Sequence, residues 1–190
     1  MAWRNTDAAY GLLARFFHWS MAVLILASLA LIEIADVAPR GSALRLSLRD
    51  WHAQTGLVVL ALVWFRLGWR LGGNEPAIVP SPAPWQRTAA HLVAWAFYAL
   101  MVVLPILGIV MMQADAKPVT LMGATLPAFV AVDKAWAHDL EEVHEWLGNA
   151  MMVLIAIHVA ATLFHWKVLR DDTLARMIGR RSAARGFTKP

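Results

Sequence analysis

The chain has 190 residues, 59% of them hydrophobic and only 16% charged. A soluble domain of this size carries about 25% charge, so the composition indicates a membrane protein with length for four spanning helices. Cysteine is absent, which excludes disulfides, thiolate zinc sites, iron–sulfur clusters and thioether-linked haem. The formal charge is +4. The basic residues gather at the ends of apolar runs, which favours anchoring at a lipid bilayer over binding nucleic acid.

The first apolar run, Phe16 to Ala35, is too long for a signal-peptide core and ends without a small-x-small cleavage site. It predicts a first span over about residues 12–35. A second span is expected over about 49–71, with Arg66 and Arg70 in its last turns, placed to snorkel to the interface. The stretch GGNEPAIVPSPAP, 72–84, cannot continue a helix and reads as a loop. A third span follows over about 88–113, where Pro105 predicts a kink. Residues 118–136 read as a loop lying as a cap on the outer surface. A fourth span is expected over about 138–168, and 169–190 as a basic cytoplasmic tail. The fold expected is all-α: one domain, 1–190, forming an integral membrane four-helix bundle.

The flanks set an orientation. Arg66, Arg70 and Arg87 surround the loop between spans two and three. The tail carries Lys167, Arg170, Arg176, Arg180, Arg181, Arg185 and Lys189. The loop between spans three and four is acidic, with Asp115, Asp133, Asp139, Glu141 and Glu142 against Lys117 and Lys134. The positive-inside rule places both termini in the cytoplasm. Arg40, Arg45 and Arg49 in the first loop run against that rule and are outvoted.

Histidines carry the chemistry. His144 and His158 are fourteen residues apart in one apolar helix, nearly four full turns, so both project from one face about 21 Å apart. His18 opens the first span at the depth of His158, and His52 opens the second at the depth of His144. Neutral imidazole is the usual axial ligand of haem iron, and two of them complete six-coordination. The pairs His18/His158 and His52/His144 therefore predict two haem b groups, one near each membrane surface. Glycine follows four residues after His52 and after His144, at Gly56 and Gly148, leaving a bare turn beside each ring where a flat porphyrin fits. The alternative for buried histidines is hydrogen-bond glue between helices. Two depth-matched pairs weigh against it.

Arg15, one turn from His18, and Arg49, one turn from His52, are candidate partners for haem propionates, as are Arg87 and Lys167. Each serves equally as a membrane anchor. His165 lies two turns beyond His158 on the same face, suited to exchange a proton with a quinone or to hold a propionate. His91 and Lys167 complete a quinone-side neighbourhood. His138 reads as a solvated loop residue. The ten tryptophans suit an interfacial belt.

With these residues the chain resembles the bacterial cytochrome b561 family. The resemblance covers nearly the whole chain and rests on RFFHWSMAVL around His18, WHAQTG at His52, HLVAWAFYALMVVLPILGIVMM from His91, and VHEWLGNAMMVLIAIHVAATLFHWKVLRDDTLARM. It implies a di-haem cytochrome of the bacterial inner membrane, with the positions matching His18/His158 and His52/His144 as the iron ligands. Family members move electrons between haem and quinone. The resemblance extends to a member that oxidises superoxide at the outer face and reduces ubiquinone, which implies that oxidoreductase activity here. Arg40, Arg45 and Arg49 then read either as a positive entrance for the superoxide anion or as contacts for anionic lipid. A rival role is that of a cytochrome subunit linking a partner protein, such as a hydrogenase or another dehydrogenase, to quinone.

Overall fold

The computed structural model describes residues 2–179; the basic residues Arg180, Arg181, Arg185 and Lys189 lie outside the described residues. Four long helices run in chain order: α1 (Leu12–Val37), α2 (Ala43–Leu71), α3 (Pro84–Ala114) and α4 (Lys134–Phe164). A two-stranded hairpin, β1 (Thr120–Leu121) and β2 (Ala124–Thr125), lies between α3 and α4. A π-helical turn, His165–Leu169, ends α4 and leads to a short helix α5 (Thr173–Ile178).

Local chemistry sets the helix ends. Ser42 caps α2 by accepting from the Arg45 amide, so the helix starts earlier than the expected 49 and His52 stands well inside it. Pro84 opens α3 at a position where its missing N–H costs nothing, and the Gln86 side chain reaches back to the Ala83 amide at 2.8 Å. Asp133 caps α4 by accepting from the amides of Ala135 and Trp136. That cap draws His138 into the helix. The histidine is exposed there and faces Glu142 one turn on at 3.6 Å, rather than lying in a loop.

The helices pack in sequence, α1 on α2, α2 on α3 and α3 on α4. Met21, Val59, Val63, Tyr98, Met101 and Met151 form the buried centre, drawn from all four. The outer faces carry large apolar side chains such as Val23, Leu26, Phe65, Leu92 and Val153. Such a surface is stable only against lipid tails. Nine of the ten tryptophans are among the exposed residues, the placement that interfacial anchoring needs. α1, α3 and α4 with its π turn are apolar enough to cross a membrane by length and composition. α2 is as long, but its arginines keep it below that mark, and its place in the bundle comes from packing on both neighbours. The molecule is an all-α membrane bundle.

Each end of the bundle is tied down differently. At one end, Met122 and Gly123 turn the hairpin at positive φ, the geometry of a two-residue connection. Gln54 of α2 donates to the Thr120 carbonyl at 2.9 Å and accepts from the Met122 amide at 3.0 Å. Gln113 of α3 holds Pro127 and Phe129 in the same way. The segment expected to be a loop capping the bundle is held as an ordered cap with a hairpin in it. At the other end, Asp172 accepts from the Val79 amide at 2.8 Å, and Arg176 bonds Asp172 and the Pro76 carbonyl. Arg176, expected in an open basic tail, is buried beneath the α2–α3 loop.

Candidate functional site

Four of the histidines meet in two pairs. His18 of α1 faces His158 of α4 with ring centres 6.3 Å apart. His52 of α2 faces His144 of α4 with ring centres 6.2 Å apart. A metal held in line between two imidazoles, with bonds of about 2.0–2.1 Å and ring nitrogens about 1.1 Å from their centres, sets the rings about 6.3 Å apart. Both separations match that requirement. They are too long for direct stacking and too short for an intervening side chain.

Among the described residues no cluster of three or more histidine, cysteine or acidic side chains is placed to hold a metal ion. A bare zinc or copper ion would be left with two ligands, too few for its preferred geometry. A metal that brings four equatorial donors of its own needs only the two axial ones these pairs offer. The helix surface beside one of these pairs is unfilled. A Cβ built on Gly56 or Gly148 meets no atom within 4 Å, so the turn beside His52 and the turn beside His144 are both open. Across the bundle, α4 packs on α3 and has no comparable packing against α1 or α2 among the described residues. The histidine pairs span that separation.

The ring partners differ between the two sites. His52 Nδ1 lies 2.9 Å from the Ser28 carbonyl and 3.0 Å from its hydroxyl. A carbonyl only accepts, so Nδ1 carries the hydrogen and Nε2 keeps its lone pair, the tautomer a metal ligand requires. His144 packs beside Gly108, at ordinary contact distance from where a Cβ there would stand, and its buried Nδ1 has no hydrogen-bond partner. The buried Nε of Arg49 is likewise unpaired at the same end. Orphaned donors of this kind suit an anionic group absent from the protein itself.

At the other pair, Arg66 places Nη2 3.2 Å from His18 Nδ1, Nε 3.2 Å from the Tyr98 hydroxyl and Nη1 3.3 Å from the Phe17 carbonyl. Arg66 was expected to snorkel outward; it turns inward because Tyr98 and the α1 backbone offer acceptors that lipid does not. Guanidinium only donates, so in this arrangement His18 accepts at Nδ1. Ligation through Nε2 requires Arg66 to release that one contact while keeping its other two. Spacing signals Arg66 in retrospect: it follows His52 by fourteen residues, as His158 follows His144, and so sits on the same face at the depth of His18.

The remaining candidates lie as follows. Arg15 gives its Nε to the Met177 carbonyl at 3.2 Å and Nη2 to the Ile178 carbonyl at 3.0 Å, capping α5 instead of pointing at the His18 pair. Arg45 and Arg49 both bond Asp36 Oδ1 at 3.1 Å, and Arg49 approaches Glu141 at 3.9 Å. Arg40 is exposed. The three arginines therefore do not form an undiluted positive field. His91 is largely exposed beside Glu75 at 3.8 Å. Lys167 Nζ rests 3.9 Å above the Trp166 ring. Arg87 stands in the first turn of α3. His165 alone of the three quinone-side candidates is mostly buried, bonded to Asp171.

Sequence comparison identifies the family. A model of the prokaryotic cytochrome b561 family matches residues 9–180. The chain is 32% identical over 166 residues to cytochrome b561 homolog 1 of Escherichia coli, covering 87% of this chain and 94% of that protein. It is 31% identical over 173 residues to the probable superoxide oxidase CybB of Yersinia pestis, covering 89% and 95%. Cytochrome b562 of Cereibacter sphaeroides is 29% identical over 183 residues, covering 90% and 96%. Long apolar helices, paired histidines and a match over nearly the full length agree: the chain belongs to the prokaryotic cytochrome b561 family of electron-transferring membrane proteins.

Proposed function

We propose that the chain holds two haem b groups and carries electrons from superoxide on the periplasmic side of a bacterial inner membrane to ubiquinone near the cytoplasmic side. The observation that carries this reading is the pair of facing imidazole couples, 6.3 and 6.2 Å apart at opposite ends of the bundle. His18 and His158 are the ligands of the cytoplasmic group, and His52 and His144 those of the periplasmic group. Both termini face the cytoplasm, by the charge of the flanks. The kinship with a probable superoxide oxidase supports the choice of donor.

Haem b, when bound, supplies one-electron redox chemistry. The chain does the rest. Ser28 fixes the His52 tautomer, and Gly56 and Gly148 leave the helix surface beside that pair open. Held by His18 with His158 and by His52 with His144, the haems would serve electron transfer rather than oxygen binding. Arg49 supplies a cation at the periplasmic site. Arg66, more directly than Arg15, supplies one at the cytoplasmic site. Arg40, Arg45 and Arg49 draw the anion toward the His52 end, moderated by Asp36 and Glu141. Two superoxide ions give up one electron each and leave as dioxygen. One quinone takes both electrons and two protons to become quinol.

The test is a visible spectrum of the oxidised, purified protein before and after a pulse of superoxide, with a control treated with superoxide dismutase. Sharp reduced-haem bands absent from the control are the expected result. A colourless protein overturns the haem assignment. A haem spectrum that superoxide leaves unchanged overturns the donor and points to electron delivery by a partner protein.

A further inference from the structure

The turn that ends α4 holds a buried pair of groups to which electron transfer between the histidine sites assigns no task. After Phe164 the helix widens into a π turn, and Arg170 takes a left-handed conformation at φ 54° that reverses the chain. π turns of this kind recur at functional sites. The reversal brings Asp171 back over His165. Its Oδ2 lies 2.5 Å from His165 Nδ1, and its Oδ1 accepts from the Thr173 amide at 2.9 Å. The Asp171 amide also donates to the His165 carbonyl. The Asp171 side chain is 3% exposed and the His165 side chain 17%.

This is the arrangement in which a carboxylate fixes an imidazole. Nδ1 keeps its hydrogen, the bond holds the ring in one orientation, and Nε2 is left as the nitrogen that can exchange a proton. Other charges nearby are already engaged. Asp172 is turned to Arg176 and Val79, Arg176 to Asp172 and Pro76, and Lys167 to the face of Trp166. Arg170 follows on the same turn, exposed. Burial pulls the Asp171 carboxyl up, but the bonds from His165 and Thr173 outweigh it and hold the group below the usual carboxylate range. His165 also lies seven residues beyond His158, about 10 Å further toward the cytoplasmic surface.

We propose that His165 and Asp171 form a proton-delivering couple for quinone reduction, with His165 the donor and Asp171 its positioning residue. This rests on the quinone reading above. Reduction of a quinone to a quinol adds two electrons and forms two O–H bonds. The electrons come from the donor oxidised at the far end of the bundle. At this end the Nε2–H bond of the imidazolium breaks, an O–H bond forms on the quinone oxygen, and the ring becomes neutral with Nδ1–H still bonded to Asp171. Water at the cytoplasmic surface restores the Nε2 proton, and the second proton follows by the same route. The buried carboxylate keeps the ring oriented and Nδ1 protonated between transfers.

The experiment mixes reduced holo-protein in detergent with a short-chain ubiquinone and follows haem re-oxidation across about pH 5–9. The wild-type rate is expected to fall as pH rises and the imidazolium is lost. Asp171→Asn is expected to slow re-oxidation about ten-fold or more and to move the falling limb to lower pH, with unchanged haem bands. Asp171→Glu restores most of the rate, and His165→Gln abolishes the limb. An Asp171→Asn protein with the wild-type rate and profile overturns the proposal. If that variant loses haem, His165→Gln decides, and an unchanged profile there overturns it. A wild-type protein that quinone fails to re-oxidise at any pH overturns the quinone reading itself.

Discussion

Replacing Gly148 by leucine separates a cofactor cradle from ordinary helix packing. In the protein alone a Cβ at this position meets nothing within 4 Å, so the substitution has no steric opponent. Leucine is favoured over glycine in a helix interior by roughly 0.8 kcal/mol. If nothing occupied the opening, Gly148→Leu would be neutral or slightly stabilising. With a porphyrin lying against that turn, the same side chain collides with the ring. The expected outcome is loss of the His52/His144 haem, so that content falls from two per chain to one while the His18/His158 group remains. Gly56→Leu is expected to act alike from the α2 side. Gly68, also open to a Cβ but on the opposite face of α2, is the control, and Gly68→Leu keeps both groups. Haem per chain, measured by the pyridine haemochrome spectrum, reads the result. Full haem content in both Gly148→Leu and Gly56→Leu would refute the cradle.

Two further outcomes follow from the charges around the sites. Arg66→Met removes a cation beside His18; since a nearby positive charge favours the reduced state, the potential of that haem is expected to drop, on the order of tens of millivolts, leaving the other in place. A redox titration checks this, and two unshifted potentials would contradict it. Asp36→Asn frees Arg45 and Arg49 from their shared carboxylate. Reduction by superoxide is expected to quicken a few-fold at low salt and to lose the gain at high salt. A gain that persists at high salt, or none at all, would remove these arginines from the donor's path.

Much of this was legible in the sequence because bilayer thickness and helix pitch are fixed lengths. The apolar runs gave the four helices, and the fourteen-residue spacing from His144 to His158 gave two depths to which His18 and His52 could be matched. The helix starts were less legible. Ser42 and Asp133 cap within polar stretches, where hydropathy carries no signal, and so α2 and α4 begin earlier than their apolar cores. The hairpin at Thr120–Thr125 was hidden for the same reason, being too short for any period to show. Arg66 was misread because arginine near a helix end ordinarily reaches for water; acceptors contributed by other helices, the Tyr98 hydroxyl and the Phe17 carbonyl, turn it inward. Asp171 reaches His165 through a π turn and a left-handed residue, and local spacing predicts neither.

The sequential packing of the helices bears on how the molecule is built. α1 pairs with α2 and α3 with α4, and the second pair rests on the first mainly through α3 and α2. α4 has no comparable packing against α1 or α2 among the described residues, so groups bound between the histidines would fix its distance from them. With haem bound at both pairs, cofactor loading would become a step of biogenesis, since α4, already packed on α3, would gain its hold on α1 and α2 only as the sites fill. Starving cells of haem should accordingly show first as susceptibility of the α3–α4 hairpin to membrane proteases, with α1 and α2 still paired.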